Sequence, residues 1–407
     1  MTLFMPASSN DGLGVKIVTL AQPGGDNGDN NDNGSSEDLT SSVASLSMSA
    51  DNGSAQATPR GSLTLLDAQG FPRALINAEE ITAFRTALAS TMLFRKRADV
   101  HEITVFGAGR QAYWHIRLAL LLRGDAIKYL NIINRSFESG RVLLDRLWGG
   151  GGGRGAGEEH DGGGDGGGGV RLHRPDTKLV TPQHTEYHRY LKATVRASAA
   201  IFLTTPSLEP LFPAEYLTSV QGRRKGRYIA AIGSFTPQMI ELHPDVLRQA
   251  VAPHHSHHHH KHARQGGAVV VDSLEACLRD AGEVVQARLD ANEVVELGEL
   301  VMLKRDAEKR RLEQERQRTQ HRRQASGASV ASAHSHKSGD SGVGVEVNDS
   351  AATPKGSEQH DGGLRDWLER GNVIYKSVGL GLMDVVVGGE LVGLADRRGY
   401  GTQIENF

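Results

Sequence analysis

Between residues 102 and 136 the chain reads EITVFGAGRQAYWHIRLALLLRGDAIKYLNIINRS, and its apolar positions change period twice. Ile103, Val105 and Phe106 form a short β-branched and aromatic run suited to a buried parallel strand. A Gly-x-Gly turn follows, then an amphipathic helix, a second apolar strand and a polar tip. That order predicts the first half of a dinucleotide-binding βαβ unit. Further strands are predicted at 178–181, 200–204, 228–232 and 268–271, with helices at 186–196 and from residue 273. Their alternation is what a parallel sheet requires. Ahead of this run lie strand-like segments at 15–20 and 63–66 and a helical stretch at 79–95. The tail 372–407 returns to apolar strand or helix character.

Four low-complexity segments interrupt the pattern: 21–58, 149–169, 252–267 and 304–362. None has the apolar content to offset its ordering entropy, so all four are expected to be flexible inserts. The His-rich stretch from His254 to His262 would bind transition metals loosely, but a flexible run has no outer shell to fix its ligands, and no specific metal site is expected. The run 304–323 mixes both signs of charge around Leu312, which reads as a solvated helix rather than a nucleic-acid arm. The net charge of −2 points to neither nucleic acid nor a membrane surface. Cys277 is the single cysteine, which excludes an internal disulfide and suits a reducing compartment. No apolar run spans a bilayer and the start lacks a basic, apolar leader, so a cytoplasmic protein is expected.

The glycine turn carries the first candidate chemistry. Gly107 permits a sharp turn, and Gly109 leaves no side chain between backbone and a pyrophosphate. Ala112 stands where the fingerprint has its third glycine, and Ala108 and Gln111 complete the expected contact set. The helix starting there would point unpaired N–H groups and its positive end at phosphate. At the tip of the second strand, Asn134-Arg135-Ser136 has no carboxylate to bond a ribose 2′-OH. A 2′-phosphate fits the Arg135 guanidinium and the Ser136 hydroxyl. NADP(H) is therefore the expected cofactor, with NAD(H) as the alternative. A solvated Arg135 in a plain strand–helix loop is the other reading.

Several ordered motifs together resemble the ornithine cyclodeaminase/mu-crystallin family. They are FMPA (4–7), GVKIVTL (14–20), ALINAEEITAFRTALAS (74–90), TVFGAGRQA (104–112), INRS (133–136) and TTPSLEPLF (204–212). AIGSFTPQMIEL (231–242), VVVDSLEACLRDAGE (269–283) and VIYKSVGLGLMDVV (373–386) follow. The resemblance implies an α/β fold: a Rossmann domain over 100–303, and a discontinuous α+β substrate and dimerisation domain built from residues 1–99 and 363–407. Residues 304–362 would be a disordered linker. It further implies a homodimer acting on a small amino acid or imine. Activities in the family include reduction of cyclic ketimines, amino-acid dehydrogenation and cyclisation of ornithine to proline, and mu-crystallin itself serves as a binding protein.

The resemblance also assigns residues. Arg85, otherwise read as a surface arginine, matches the arginine that clamps the substrate carboxylate, a task suited to a planar, permanently charged fork. Lys16 matches the lysine beside that carboxylate and the reacting carbon. Thr204 and Thr205 would line the nucleotide, with Ser207 close by, although turn hydroxyls read equally well. Lys376 and Ser377 belong to a signature near the nicotinamide. Two departures stand out. Phe235 occupies the position of the cyclodeaminase aspartate, and the chain begins almost at FMPA, where family members carry several dozen more residues and another arginine. A shortened substrate half is therefore expected.

Overall fold

The computed structural model describes residues 2–9, 12–19, 60–149, 172–252, 269–302, 305, 309, 312, 313, 316, 364–402 and 404. The expected inserts, the His run included, lie almost wholly outside these residues. The chain divides into two compact units, Met1–Val295 with Trp367–Phe407, and Glu296–Asp366. In the second unit residues 297–302 are helical. So are Arg305, Lys309, Leu312, Glu313 and Arg316, all exposed, in keeping with a solvated helix.

The first unit holds two sheets. Strands β1 (Thr2–Ser9), β2 (Gly12–Thr19), β3 (Arg60–Leu66) and β4 (Pro72–Asn77) form an antiparallel sheet in chain order. Strands β1 and β4 were not evident in the sequence pattern. Helix α1 (Ala78–Phe94) starts where the Asn77 side chain accepts a hydrogen bond from the Glu79 N–H, the usual service of an Asn cap. The period-2 pattern of β3 turns Leu63 and Leu65 inward, where they meet Ile81 of α1 and Val385. Fully burying each such aliphatic side chain stabilises the layer by about 1.5–3 kcal/mol.

The large sheet contains β5 (Glu102–Phe106), β6 (Tyr129–Ile133), β7 (Asp176–Val180), β8 (Ala200–Leu203), β9 (Tyr228–Ala231), β10 (Val269–Val271), β11 (Val294–Glu296) and β12 (Val373–Lys376). Its order is β11-β10-β12-β9-β8-β5-β6-β7. Every pairing from β10 to β7 is parallel. Strands β8, β9, β10 and β12 are buried along their whole length, as expected of strands covered on both faces. The connecting helices are α2 (Arg110–Arg123), α3 (Phe137–Trp148), α4 (Tyr187–Ala197), α5 (Glu215–Thr218), α6 (Pro244–Val251), α7 (Leu274–Asp280) and α8 (Gly282–Ala287).

The tail contributes to both sheets, whereas the motif pattern assigned it to one. β12 enters the large sheet between β9 and β10. The helix after it, α9 (Gly381–Arg398), packs through Val385 on Leu63 and Leu65 of the small sheet. Residues 377–380 thus bridge the two layers. Among the described residues no helix is long and apolar enough to cross a membrane, and no group of three or more His, Cys, Asp or Glu is suited to a metal ion.

Candidate functional site

The strand order places a topological switch point between β5 and β8, where connections leave in opposite directions. Gly107 leaves β5 with φ 106°, a left-handed conformation that glycine adopts freely. A β-carbon there would stand 2.8 Å from Thr204 Oγ1. At Gly109 a β-carbon would meet nothing within 4 Å, so the backbone lies open on that side. Gly109 caps α2 with no side-chain hydrogen bond, leaving the first N–H groups of a 14-residue helix for an external acceptor. Ala112 is buried. Gln111 Oε1 is buried without a hydrogen-bond partner among the described residues. An open backbone cradle and an uncapped helix N-terminus fit a dinucleotide pyrophosphate.

The tip of β6 forms one wall of an open cleft of about 660 Å³, lined by Arg135, Ser136, Phe137, Leu179, Thr181, Gln183 and His184. None of these is a carboxylate. Asn134 donates through Nδ2 to the Ser136 carbonyl at 2.7 Å, which tightens the turn. Ser136 Oγ accepts from the Ser139 N–H at 3.2 Å and so caps α3. Arg135 is exposed, and its guanidinium has no hydrogen-bond or ion-pair partner among the described residues. Across the cleft His184 Nδ1 accepts from the Glu186 N–H at 3.1 Å, which leaves Nε2 to carry the proton of the neutral ring.

Thr204 and Thr205 stand at the switch point, but their hydroxyls donate inward. Thr204 Oγ1 bonds the Phe106 carbonyl at 2.7 Å and Thr205 Oγ1 bonds Glu241 at 3.2 Å. Ser207 closes a turn on the Glu209 carbonyl at 2.6 Å. Glu241, fully buried, also accepts the N–H groups of Thr205 and Gly233, each at 2.6 Å. It thereby ties together the loops that follow β8 and β9. Burial pushes its carboxyl up to about 7, with Lys376 opposing the shift and Glu283 adding to it.

Beneath these loops, Lys376 Nζ donates to the Ser234 carbonyl at 2.6 Å and to Ser234 Oγ, and pairs with Glu283 at 3.2 Å. Three acceptors use the three ammonium protons. The expected contact of Lys376 with a nicotinamide therefore has no free proton in this conformation. Ser377 Oγ likewise turns inward, to Asp272 at 2.7 Å. Asp272 also accepts from the Gly379 N–H at 2.7 Å, pinning the bridge between the two sheets. Both residues hold loops in place. Phe235, next to Ser234, is 47% exposed.

At the far end of that bridge lies the second cluster. Lys16 of β2 and Arg85 of α1 are 4% and 5% exposed, so neither is a surface residue. Both bond one carboxylate, that of Asp384 in the first turn of α9: Lys16 Nζ at 3.2 Å to each oxygen and Arg85 Nε at 3.3 Å. Thr82, one helical turn before Arg85, adds its hydroxyl at 3.4 Å. Asp384 is 0% exposed. Arg85 Nη1 reaches only the Met383 sulfur, at 3.8 Å, and Nη2 has no hydrogen-bond partner among the described residues. Burial lowers the Lys16 ammonium below the usual lysine range; Asp384 opposes that shift and Arg85 reinforces it. Sequence reasoning missed Asp384. Its signal was a single acid inside the apolar run VGLGLMDVVV.

A parallel sheet of this order, with a glycine turn and an uncapped helix at its switch point, defines a Rossmann-type dinucleotide-binding fold joined to an antiparallel layer. No family model matches the chain. A stretch of 246 residues, 56% of this chain, is 28% identical to an uncharacterized protein of Saccharomyces cerevisiae. The match spans 59% of that relative's length. Among solved structures the chain is similar to the Δ1-pyrroline-2-carboxylate reductase of Thermococcus litoralis in complex with NADH and L-proline, at 18% identity and TM-score 0.56, over 99% of this chain and 84% of that one. It is also similar to an archaeal alanine dehydrogenase dimer with bound NAD, at 15% identity and TM-score 0.54, over 99% and 84% of the two chains. A lysine cyclodeaminase matches at 16% identity and TM-score 0.53, over 98% and 77%. The chain has the fold these proteins share, the one the motif resemblance implied.

Proposed function

We propose that this chain is a member of the ornithine cyclodeaminase/mu-crystallin family and an NADPH-dependent reductase of a small cyclic imine or 2-oxo acid bearing a carboxylate. The observation that carries the reading is the pair of buried cations, Lys16 and Arg85, with the Nη2 of Arg85 unengaged. Buried charge is retained only when it is compensated, and a substrate carboxylate would complete the compensation. The dinucleotide would be held by the Gly107–Ala112 turn and the α2 N-terminus, and when bound it supplies a hydride. Arg85 would grip the carboxylate through its free fork and Lys16 would share it. Lys16, lowered by burial, would pass a proton to the reduced nitrogen or oxygen. The free Arg135 guanidinium in a cleft without carboxylates supports NADPH over NADH. Exposed Phe4 and Leu75 on the small sheet, with Phe71 in the turn before β4, suit burial against a second copy.

Phe235 offers neither a proton acceptor nor an ammonium partner, which weighs against cyclodeamination. It also favours a second reading, a nucleotide-binding protein without turnover. One experiment separates them. The protein is incubated with NADPH and Δ1-pyrroline-2-carboxylate, and NADPH loss is followed. Consumption matched by proline supports the reductase. Proline and ammonia from ornithine without NADPH loss would mark a cyclodeaminase. NADPH-dependent thermal stabilisation with no turnover across an imine panel would support the binding reading.

A further inference from the structure

Lys16 and Arg85 are two buried cations, but they do not wait as a pair for two anions. Asp384 lies between them, fully buried, and bonds both. The cluster therefore carries two positive charges and one negative charge, a net of one. Its remaining donor capacity is on one side, at the Arg85 fork facing Gly379. We propose that Asp384 is a built-in counter-anion that positions Lys16 and Arg85 and fixes the capacity of the pocket at one carboxylate, so that the substrate is a monocarboxylate and not a dicarboxylate. This rests on the reading of Lys16 and Arg85 as the substrate-carboxylate site.

The geometry explains how one side chain does both jobs. Asp384 occupies the first turn of α9, where the helix dipole favours a negative charge. Thr82 steadies it from α1. By accepting Arg85 Nε it fixes the guanidinium plane and leaves the terminal nitrogens directed elsewhere. By accepting Lys16 Nζ with both oxygens it holds the ammonium beside Arg85, against the repulsion of two like charges. A second carboxylate on the ligand would enter a site whose net charge was already cancelled by the first, and its desolvation would go uncompensated. The charged groups facing Lys16 are Arg85 from α1 and Asp384 from α9. Loss of the Asp384 charge removes the attraction that keeps Lys16 protonated, so Lys16 neutralises at lower pH.

The test uses the NADPH-loaded full chain, with pyrrole-2-carboxylate as the monocarboxylate probe and malonate as the dicarboxylate, both titrated by calorimetry. Wild type is expected to bind pyrrole-2-carboxylate at least about tenfold more tightly than malonate. D384N is expected to shrink that ratio by about tenfold or more, to leave NADPH affinity unchanged, and to lose its gained malonate binding, but not pyrrole-2-carboxylate binding, as Lys16 neutralises at alkaline pH. D384E, which keeps the charge, should keep the wild-type ratio. Should D384N not fold, the charge-balanced pair gives the answer. K16M leaves Arg85 cancelled by Asp384 and should lose monocarboxylate binding, and K16M/D384N, again at net plus one, should recover it. An unchanged ratio and pH profile in D384N, or a double variant no better than K16M, overturns the proposal. Wild-type protein that binds NADPH but neither carboxylate overturns the underlying site reading, and the proposal falls with it.

Discussion

Gly379 and Arg85 meet so closely that residue 379 has no room for a side chain: a β-carbon there would lie 2.7 Å from Arg85 Nη2. Gly379 also has φ 91°, a conformation costly to any other residue by about 1–3 kcal/mol. Gly379→Ala is therefore expected to push the guanidinium off Asp384, lower the thermal midpoint, and weaken carboxylate binding by about tenfold or more. NADPH affinity should be unaltered. Parallel titrations of the two ligands check this, and equal losses for both would refute it.

The cofactor preference turns on Arg135. A charge-assisted contact to a 2′-phosphate contributes about 1.5–3 kcal/mol, so Arg135→Ala should weaken NADPH binding by roughly ten- to a hundredfold while leaving NADH as it was. Fluorescence titration with each nucleotide gives the result directly. A variant that loses both equally would assign Arg135 to overall stability instead.

His115 makes a prediction about acid sensitivity. The ring is fully buried against Phe202, its Nδ1 on the Gln111 carbonyl and its Nε2 without a partner among the described residues. Burial lowers its pKa from 6.5 to about 4. A depressed value means the neutral ring is favoured in the fold, so this stability is present above pH 6.5 and is lost as pH falls towards 4. The loss amounts to about 3 kcal/mol at 1.36 kcal/mol per unit. Urea denaturation between these limits should show it, and His115→Leu should flatten that part of the profile.

Lys376 is expected to matter for stability more than for nucleotide contact. Lys376→Met leaves Glu283 buried without its cation, an effect of about 3–5 kcal/mol. It also removes the charge that restrains the Glu241 shift, so Glu241 should hold its proton to higher pH. A lower urea midpoint with an NADPH dissociation constant within about twofold, in protein still folded at low urea, is the expected outcome. A stable variant with lost NADPH affinity would return Lys376 to the nucleotide site.

Local signals made much of this legible. The β5–α2–β6 unit is read from three consecutive periodicities, and the predicted strand at 228–232 appears as Tyr228–Ala231. Lys16 and Arg85 were named, but their shared partner was not, because Asp384 lies 368 residues from Lys16. Pairing at that distance leaves no periodic trace. The same holds for Glu241, whose bonds to Thr205 and Gly233 depend on how two loops meet above the sheet. β4 escaped notice because its six residues, PRALIN, open with a proline and run directly into the following helix, which Asn77 caps. Lys376 shows a different limit: its motif position carries no sign that the ammonium bonds Ser234 and Glu283. A motif can place a residue near a site and still not say which way its protons point.

The position of β12 has a consequence for how the molecule is made. This strand comes late in the sequence, yet it fills a gap in the interior of the parallel sheet, between β9 and β10. During synthesis those two strands must wait with unpaired edges, a state open to wrong partners. The same segment then delivers Asp384 to Lys16 and Arg85. Closure of the sheet and completion of the carboxylate pocket are thus one event, and a nascent chain has neither until residues 373–384 emerge.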